Sequence, residues 1–252
     1  MRSVSIVVPA YNEEARLPAT LEKILAYLQK KDFSFAEVVV VDDGSRDGTA
    51  ALVERQQRQS SLLRLIRNPG NRGKGYSVRN GALSAKGEWI LSTDADLSAP
   101  IEELDKLFDA VDHAGAQVAI GSRALDRSLV GVHQSALREM SGRAFNVVMR
   151  GITGLPFRDT QCGFKLFRAD AAREIFSRQK LDGFSFDVED LVIAKVLGIH
   201  TIEVPVVWNN VEGTKVSTLA GVASFGALLR IRWRALMGDY SKPKARSVRK
   251  SS

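Results

Sequence analysis

Trp89-Ile90-Leu91-Ser92-Thr93-Asp94-Ala95-Asp96 is a short apolar run that stops at two carboxylates one residue apart. An apolar run of this length, bounded by turn chemistry, reads as a strand buried on both faces. Its end then delivers Asp94 and Asp96 to a sheet edge, where they can share a hard divalent cation that prefers oxygen ligands. Ser98-Ala99-Pro100 follows, with the proline placed early in the next helix. An Asp-x-Asp tripeptide alone is also ordinary turn chemistry, so its position after the strand is what favours the metal reading.

The same rhythm repeats on both sides of this segment. Val4 to Val8 reads as a strand, Pro18 to Gln29 as a helix with Leu17, Leu21, Ile24, Leu25 and Leu28 on one face, and Val38 to Val41 as a second strand. Asp47 to Gln59 is helical in pattern, Leu62 to Ile66 strand-like, Gly75 to Ala85 helical and Trp89 to Thr93 a strand. Ile101 to Ala114 and Val118 to Gly121 repeat the alternation. Buried strands separated by helices predict an α/β fold with a mostly parallel, doubly wound sheet. Ligands of such sheets bind at the carboxyl ends of the strands. Four polar loops fall at those ends: Pro9 to Glu13, Asp42 to Ser45, Asn68 to Gly75, and Asp94 to Asp96. They converge on one crevice.

Past Ser122 the alternation breaks. Residues 124–135 read as a loop, 136–152 as an amphipathic helix carrying Arg138, Arg143 and Arg150, and 158–168 as a turn leading into a strand from Phe164 to Phe167. Asp187 to Leu197 reads as a helix and Thr201 to Trp208 as a strand. The chain divides into an α/β domain over residues 1–215 and, over 216–252, an amphipathic helix with a basic tail.

Composition bounds the function. With 252 residues, 44% hydrophobic and 26% charged, the chain can bury one sizeable core and is not disordered. Acids and bases balance up to Leu229, so the net charge of +7 sits entirely in residues 230–252. There Arg230, Arg232, Arg234, Lys242, Lys244, Arg246, Arg249 and Lys250 face one acid, Asp239. Such an arm suits phosphate-bearing surfaces, anionic lipid before nucleic acid, or serves as a solvated terminus. Aromatic platforms with interleaved basic residues are not evident, so no nucleic acid partner is expected. No apolar run reaches about 18 residues. A lone cysteine, Cys162, excludes an internal disulfide, and no signal-peptide core follows Met1, which fits a cytoplasmic setting. His113, His133 and His200 lack ligand spacing.

Asp42 and Asp43 end a run of four valines and can accept hydrogen bonds from a nucleobase imide and a ribose, or simply make a turn. Gly70-Asn71-Arg72-Gly73-Lys74-Gly75 opens a helix, so its amides and Lys74 can face phosphate. The loop lacks the four-residue gap and the Ser or Thr of a Walker A motif, which sets aside a P-loop nucleotidase.

Taken together, Val7 to Glu14, Val40 to Thr49, Asn71 to Gly75 and Asp94-Ala95-Asp96 resemble the family 2 inverting glycosyltransferases of the GT-A fold. Gly121-Ser122-Arg123, Arg158 to Phe167, Phe186 to Glu189 and Glu212 to Ser217 are similar to the dolichyl-phosphate β-glucosyltransferase branch and its mannose synthase cousins. The resemblance implies a nucleoside diphosphate sugar, UDP-glucose before GDP-mannose, held by Pro9, Tyr11, Glu13 and Asp42. It implies Lys74 and Lys215 at the diphosphate, with Mg²⁺ or Mn²⁺ on Asp94 and Asp96. Arg123, Arg138 and Arg143 would receive the phosphate of a polyprenyl-phosphate lipid, and Asp159, then Asp187 and Glu189, would stand beside the nucleophile. Many members carry transmembrane helices, which this chain lacks. Two other readings stay open: a family 2 enzyme with a hydroxyl acceptor, and a nucleotide-sugar or nucleic-acid binding module. The paired acids count against a pure binder of polyanions.

In the tail, Leu219, Val222, Phe225, Leu229, Trp233 and Leu236 recur at spacings of three and four, with Arg230 and Arg234 off that stripe. The stripe either packs on the catalytic domain or lies in a bilayer interface. The basic cluster that follows favours the interface and a peripheral place on the cytoplasmic membrane face.

Overall fold

A computed structural model describes residues 1–131, 147–209 and 219–241, without the side chains of 219–225. Seven strands form one sheet: β1 (Ser3–Ala10), β2 (Phe35–Asp42), β3 (Leu63–Arg67), β4 (Trp89–Ser92), β5 (Val118–Ser122), β6 (Lys165–Arg168) and β7 (Thr201–Pro205). The helices are α1 (Leu17–Lys30), α2 (Thr49–Gln57), α3 (Lys74–Ser84), α4 (Glu103–Ala114), α5 (Ala169–Arg178), α6 (Phe186–Val196) and α7 (Leu219–Leu236), with a further helical stretch over residues 147–153.

The strand order is β3-β2-β1-β4-β6-β5-β7. The first four run parallel, β5 and β7 pair in parallel, and β6 alone is antiparallel, wedged between β4 and β5. The α/β, mostly parallel architecture is therefore as the sequence predicts. The reversal of β6 sends its first residue, Lys165, to the edge where its neighbours end, opposite Ser92.

Side chains alternate across the sheet with the two-residue period of strands. Val4, Ile6, Val8, Val38 and Val40 join α1, α2 and α4 in one core layer, while Val7, Val39 and Val41 join α3, α5, α6 and α7 in the other. Most of these side chains are inaccessible to solvent, which is why the strands read as unbroken apolar runs.

Two expectations shift. Helix α5 has no counterpart in the sequence reading. It follows β6 directly and buries Ala171, Ala172, Ile175 and Phe176. The last strand ends at Pro205, three residues short of Trp208, although the Val206 amide still donates to the Ser122 carbonyl at 3.2 Å, and Trp208 forms an isolated bridge with Val130. Of the two readings of α7, exposure holds for the described part of the stripe: Leu229, Trp233 and Leu236 are 61%, 59% and 68% exposed, and the described side chains that pack inward are Leu228 and Ile231. Arg138, Arg143, Lys215, the division at 215/216 and the arm beyond Ser241 lie outside the described residues.

Candidate active site

The loops after β1 and β2 are laced together. Asn12 adopts a left-handed backbone, φ 54°, and its side-chain oxygen accepts from the amide of Arg46 at 2.8 Å, while its own amide donates to Ser45 Oγ at 2.9 Å. The Glu13 amide donates to Thr49 Oγ1 at 2.9 Å, and the Glu13 carboxylate holds Arg16 through two bonds of 2.8 and 2.7 Å. Pro9 and Tyr11 are half-buried above this lacing, and Asp42, at the end of β2, is buried. All four nucleotide candidates therefore occupy one corner of the sheet edge.

Asp43 has a different task from its neighbour. Its carboxylate accepts from the amides of Arg72 and Gly73 at 3.0 and 2.8 Å and from Asn68 Nδ2 at 2.8 Å. Two amides of the glycine-rich loop, expected to face phosphate, are thus consumed by the protein itself. Gly73, at φ 105°, is also packed so that a Cβ would lie 2.4 Å from the carbonyl oxygen of Asp182. The loop is a rigid shelf that presents the next residue, Lys74.

Lys74 meets Asp94 with Nζ to Oδ1 at 2.6 Å. Burial disfavours charge on both, yet the pairing outweighs it: the ammonium is raised above its ordinary value, and the Asp94 carboxyl is held below the usual range by Lys74, then Lys165 and Arg123. About a quarter of each side chain still reaches solvent, 23% and 26%, so a ligand can meet both. Asp96 stands two residues on, half-buried, with Oδ1 accepting from the amide and hydroxyl of Ser98 at 3.0 and 2.9 Å.

Gly163 abuts this pair. A Cβ there would stand 2.6 Å from Asp94 Cγ, so only glycine lets the strand lead-in pass beneath the carboxylate. Among the described residues no group of three or more ligating side chains occurs. The protein thus offers a partial set of two carboxylates, the arrangement that suits a hard cation completed by substrate phosphate. The donor set fits Mg²⁺ or Mn²⁺.

On the far side, Arg123 and Asp159 form a two-pronged pair, Nε to Oδ2 at 2.7 Å and Nη2 to Oδ1 at 2.9 Å, with the Arg123 amide on Oδ2 at 3.0 Å. The guanidinium also stacks on Trp208, 4.8 Å from the ring centroid. Burial pushes the Asp159 carboxyl up, but Arg123 brings it below the ordinary range. Glu203 underpins the pair by accepting from the amides of Arg158 and Asp159 at 2.9 and 2.7 Å.

Asp187 is buried against Lys165, whose ammonium also bonds the Cys162 carbonyl. Glu189 is fully buried: its oxygens take the amides of Lys180 and Leu181 at 2.9 and 2.7 Å and the hydroxyl of Tyr240 at 2.7 Å. It pins the α5–α6 loop and the turn that follows α7. Burial, then Asp159, drives the Cys162 thiol up to about 12, which leaves it inert.

The crevice holds two participants given no role from sequence, Lys165 and Glu203. Lys165 had a visible signal, a lysine inside the apolar run Gly163-Phe164-Lys165-Leu166-Phe167, since unpaired lysine is rarely buried. Glu203 had none.

A mostly parallel sheet with paired acids at one strand end, flanked by the ion-paired cations Lys74, Lys165 and Arg123, has GT-A architecture. Residues 5–176 match the family model for glycosyl transferase family 2, and the chain belongs to that family and is a glycosyltransferase. It is 35% identical over 247 residues to the dolichyl-phosphate beta-glucosyltransferase of Dictyostelium discoideum, covering 93% of this chain and 75% of that protein. The human enzyme of the same name is 36% identical over 260 residues, covering 98% and 80%. Among solved structures, mannosyl-3-phosphoglycerate synthase from Rubrobacter xylanophilus superposes with a TM-score of 0.67 at 16% identity, covering 99% of this chain and 79% of that one. Glucosyl-3-phosphoglycerate synthase from Mycobacterium tuberculosis, in complex with Mn²⁺, UDP-glucose and phosphoglyceric acid, gives 0.62 at 17% identity, covering 97% and 81%. These two likenesses establish the fold.

Proposed function

We propose that the enzyme transfers glucose from UDP-glucose to a polyprenyl phosphate such as dolichyl phosphate, inverting the anomeric centre. The observation that carries this reading is the half-buried, ionised Asp94 beside Lys74 at the strand end, in a chain whose relatives are dolichyl-phosphate beta-glucosyltransferases. Pro9, Tyr11, Glu13 and Asp42 hold the nucleotide, and Lys74 and Lys215 meet the diphosphate. Asp94 and Asp96 hold Mg²⁺ or Mn²⁺, which supplies charge neutralisation for the departing nucleoside diphosphate. Arg123 spends Nε and Nη2 on Asp159 and turns its remaining edge to the acceptor phosphate, with Arg138 and Arg143 as further phosphate ligands.

A phosphate monoester with a second pKa near 6 is already ionised at neutral pH, so its oxygen attacks the anomeric carbon without a strong base. That removes the need for proton transfer by Asp159, whose affinity for protons is reduced in any case. Asp159 and Asp187 therefore act by holding Arg123 and Lys165 in place, and Glu189 by fixing the loop behind them.

Among the described residues no helix is long and apolar enough to cross a membrane. A lipid acceptor brings the enzyme to a membrane surface, on this reading the anionic cytoplasmic face, met peripherally.

A thermal-shift panel of UDP- and GDP-sugars with Mn²⁺, paired with transfer of labelled sugar to polyprenyl phosphate, tests the assignment, because a ligand bound only by the folded state stabilises it. UDP-glucose should give the largest shift and lipid-linked glucose the product. Stabilisation by GDP-mannose instead, or transfer only to hydroxyl acceptors, overturns it.

A further inference from the structure

Helix α7 has two apolar faces. Leu228 and Ile231 pack into the core beside α6, and Tyr240 just beyond the helix closes that contact through Glu189. On the opposite side Leu229, Trp233, Leu236 and Met237 stand 61%, 59%, 68% and 57% exposed. Spacings of four, three and one place these four on one face.

At 3.6 residues per turn, Arg232 borders this stripe on one side and Arg230 and Arg234 on the other. Arg230 and Arg232 are exposed. The sequence from Lys242 onward adds Lys242, Lys244, Arg246, Arg249 and Lys250 without an acid. An exposed stripe that is apolar in the middle and cationic at both margins matches a layer with the inverse profile: apolar within, anionic at its surface.

We infer that the outer face of α7, Leu229, Trp233, Leu236 and Met237 with Arg230 and Arg232 at its margins, is a docking surface that seats the enzyme in the interface of an anionic lipid bilayer. The inner face stays bolted to α6, so the helix lies flat and carries the catalytic domain with it. The indole of Trp233 suits the headgroup level, where an apolar ring with one N–H donor is best accommodated. The inference deepens the peripheral-membrane reading and rests on the lipid-phosphate acceptor for its purpose.

The test uses the full chain and vesicles free of polyprenyl phosphate, so it is independent of whether the acceptor assignment holds. With vesicles of equimolar phosphatidylcholine and phosphatidylglycerol at low ionic strength, the protein should co-sediment. Its tryptophan emission should shift to the blue, a change that reports Trp233 because Trp89 and Trp208 are already buried. Trp233→Ser and Leu229→Ser should each weaken partitioning about tenfold, while Trp233→Phe retains it. Arg230→Gln with Arg232→Gln should weaken binding about fivefold per residue on these vesicles and leave binding to pure phosphatidylcholine unchanged. UDP-glucose binding should be unaltered in every variant. Protein that stays in the supernatant, or a solution dimer that Trp233→Ser dissociates, overturns the inference, the latter by making the stripe a contact between two copies.

Discussion

Gly163 passes directly beneath the carboxylate of Asp94, so close that a methyl group there would stand 2.6 Å from Cγ. Gly163 leads straight into β6, so the carboxylate, held by Lys74 at 2.6 Å, is the partner that must give. Gly163→Ala should therefore displace Asp94 by a fraction of an ångström to an ångström and lower kcat/KM about 100-fold. Circular dichroism and donor-dependent turnover together check this. Near wild-type turnover in a folded Ala variant would separate Asp94 from the chemistry.

Asp96→Asn makes the complementary case. Asparagine keeps an oxygen for the Ser98 amide and hydroxyl, which hold the turn at 3.0 and 2.9 Å, but loses the charge that a cation needs. The variant should melt within about 2 °C of the parent, the range expected of a change worth under 1 kcal/mol. Its metal-dependent turnover should be abolished. Retained activity with Mn²⁺ would sink the metal assignment.

Most of the sheet was legible in the sequence because strands buried on both faces leave unbroken apolar runs, and the site was legible where polar residues interrupt those runs. Pro9 to Glu13, Asp42, Lys74 and Asp94 all stand out in that way. What could not be read depends on contacts distant along the chain. Arg123 and Asp159, 36 residues apart, neutralise one another, yet each alone looks like a free reactive group. The glycine-rich loop looked open to phosphate because nothing local shows that Asp43, just past the end of β2, fills it. In α7 periodicity picked out the solvent-facing stripe, whereas the inward face of Leu228 and Ile231 was not read.

The Arg123–Asp159 pair makes a stability prediction that runs opposite to intuition about removing a surface cation. Asp159 is 3% exposed, so Arg123→Ala leaves a buried carboxylate without its partner. A cost of about 3 kcal/mol follows. Adding Asp159→Asn to that variant should recover part of it, because the amide carries no charge to strand. Urea unfolding of the single and double variants decides the matter. A double variant less stable than Arg123→Ala would mean that Asp159 stabilises the fold through other partners.

The last prediction concerns Asp190, which α6 buries to 1% exposure with Oδ1 lacking a hydrogen-bond partner among the described residues. Burial, then the neighbouring Glu189 and Asp187, raises its carboxyl well above the ordinary value. The folded state thus keeps a proton that the unfolded chain releases above about pH 4. Because the unfolded state binds fewer protons in that window, this group's contribution to stability falls as pH rises from about 4 toward the folded-state value, by at most about 1.4 kcal/mol per pH unit. Asp190→Asn has no proton to lose. Its stability relative to the parent should therefore be level near pH 4 and should improve steadily toward pH 7, with a higher urea midpoint at neutral pH. Comparing the two proteins at matched pH cancels every other titrating group. A difference that is constant with pH, or that shrinks as pH rises, would show that Asp190 is ionised in the folded enzyme and balanced by a cation such as Lys165.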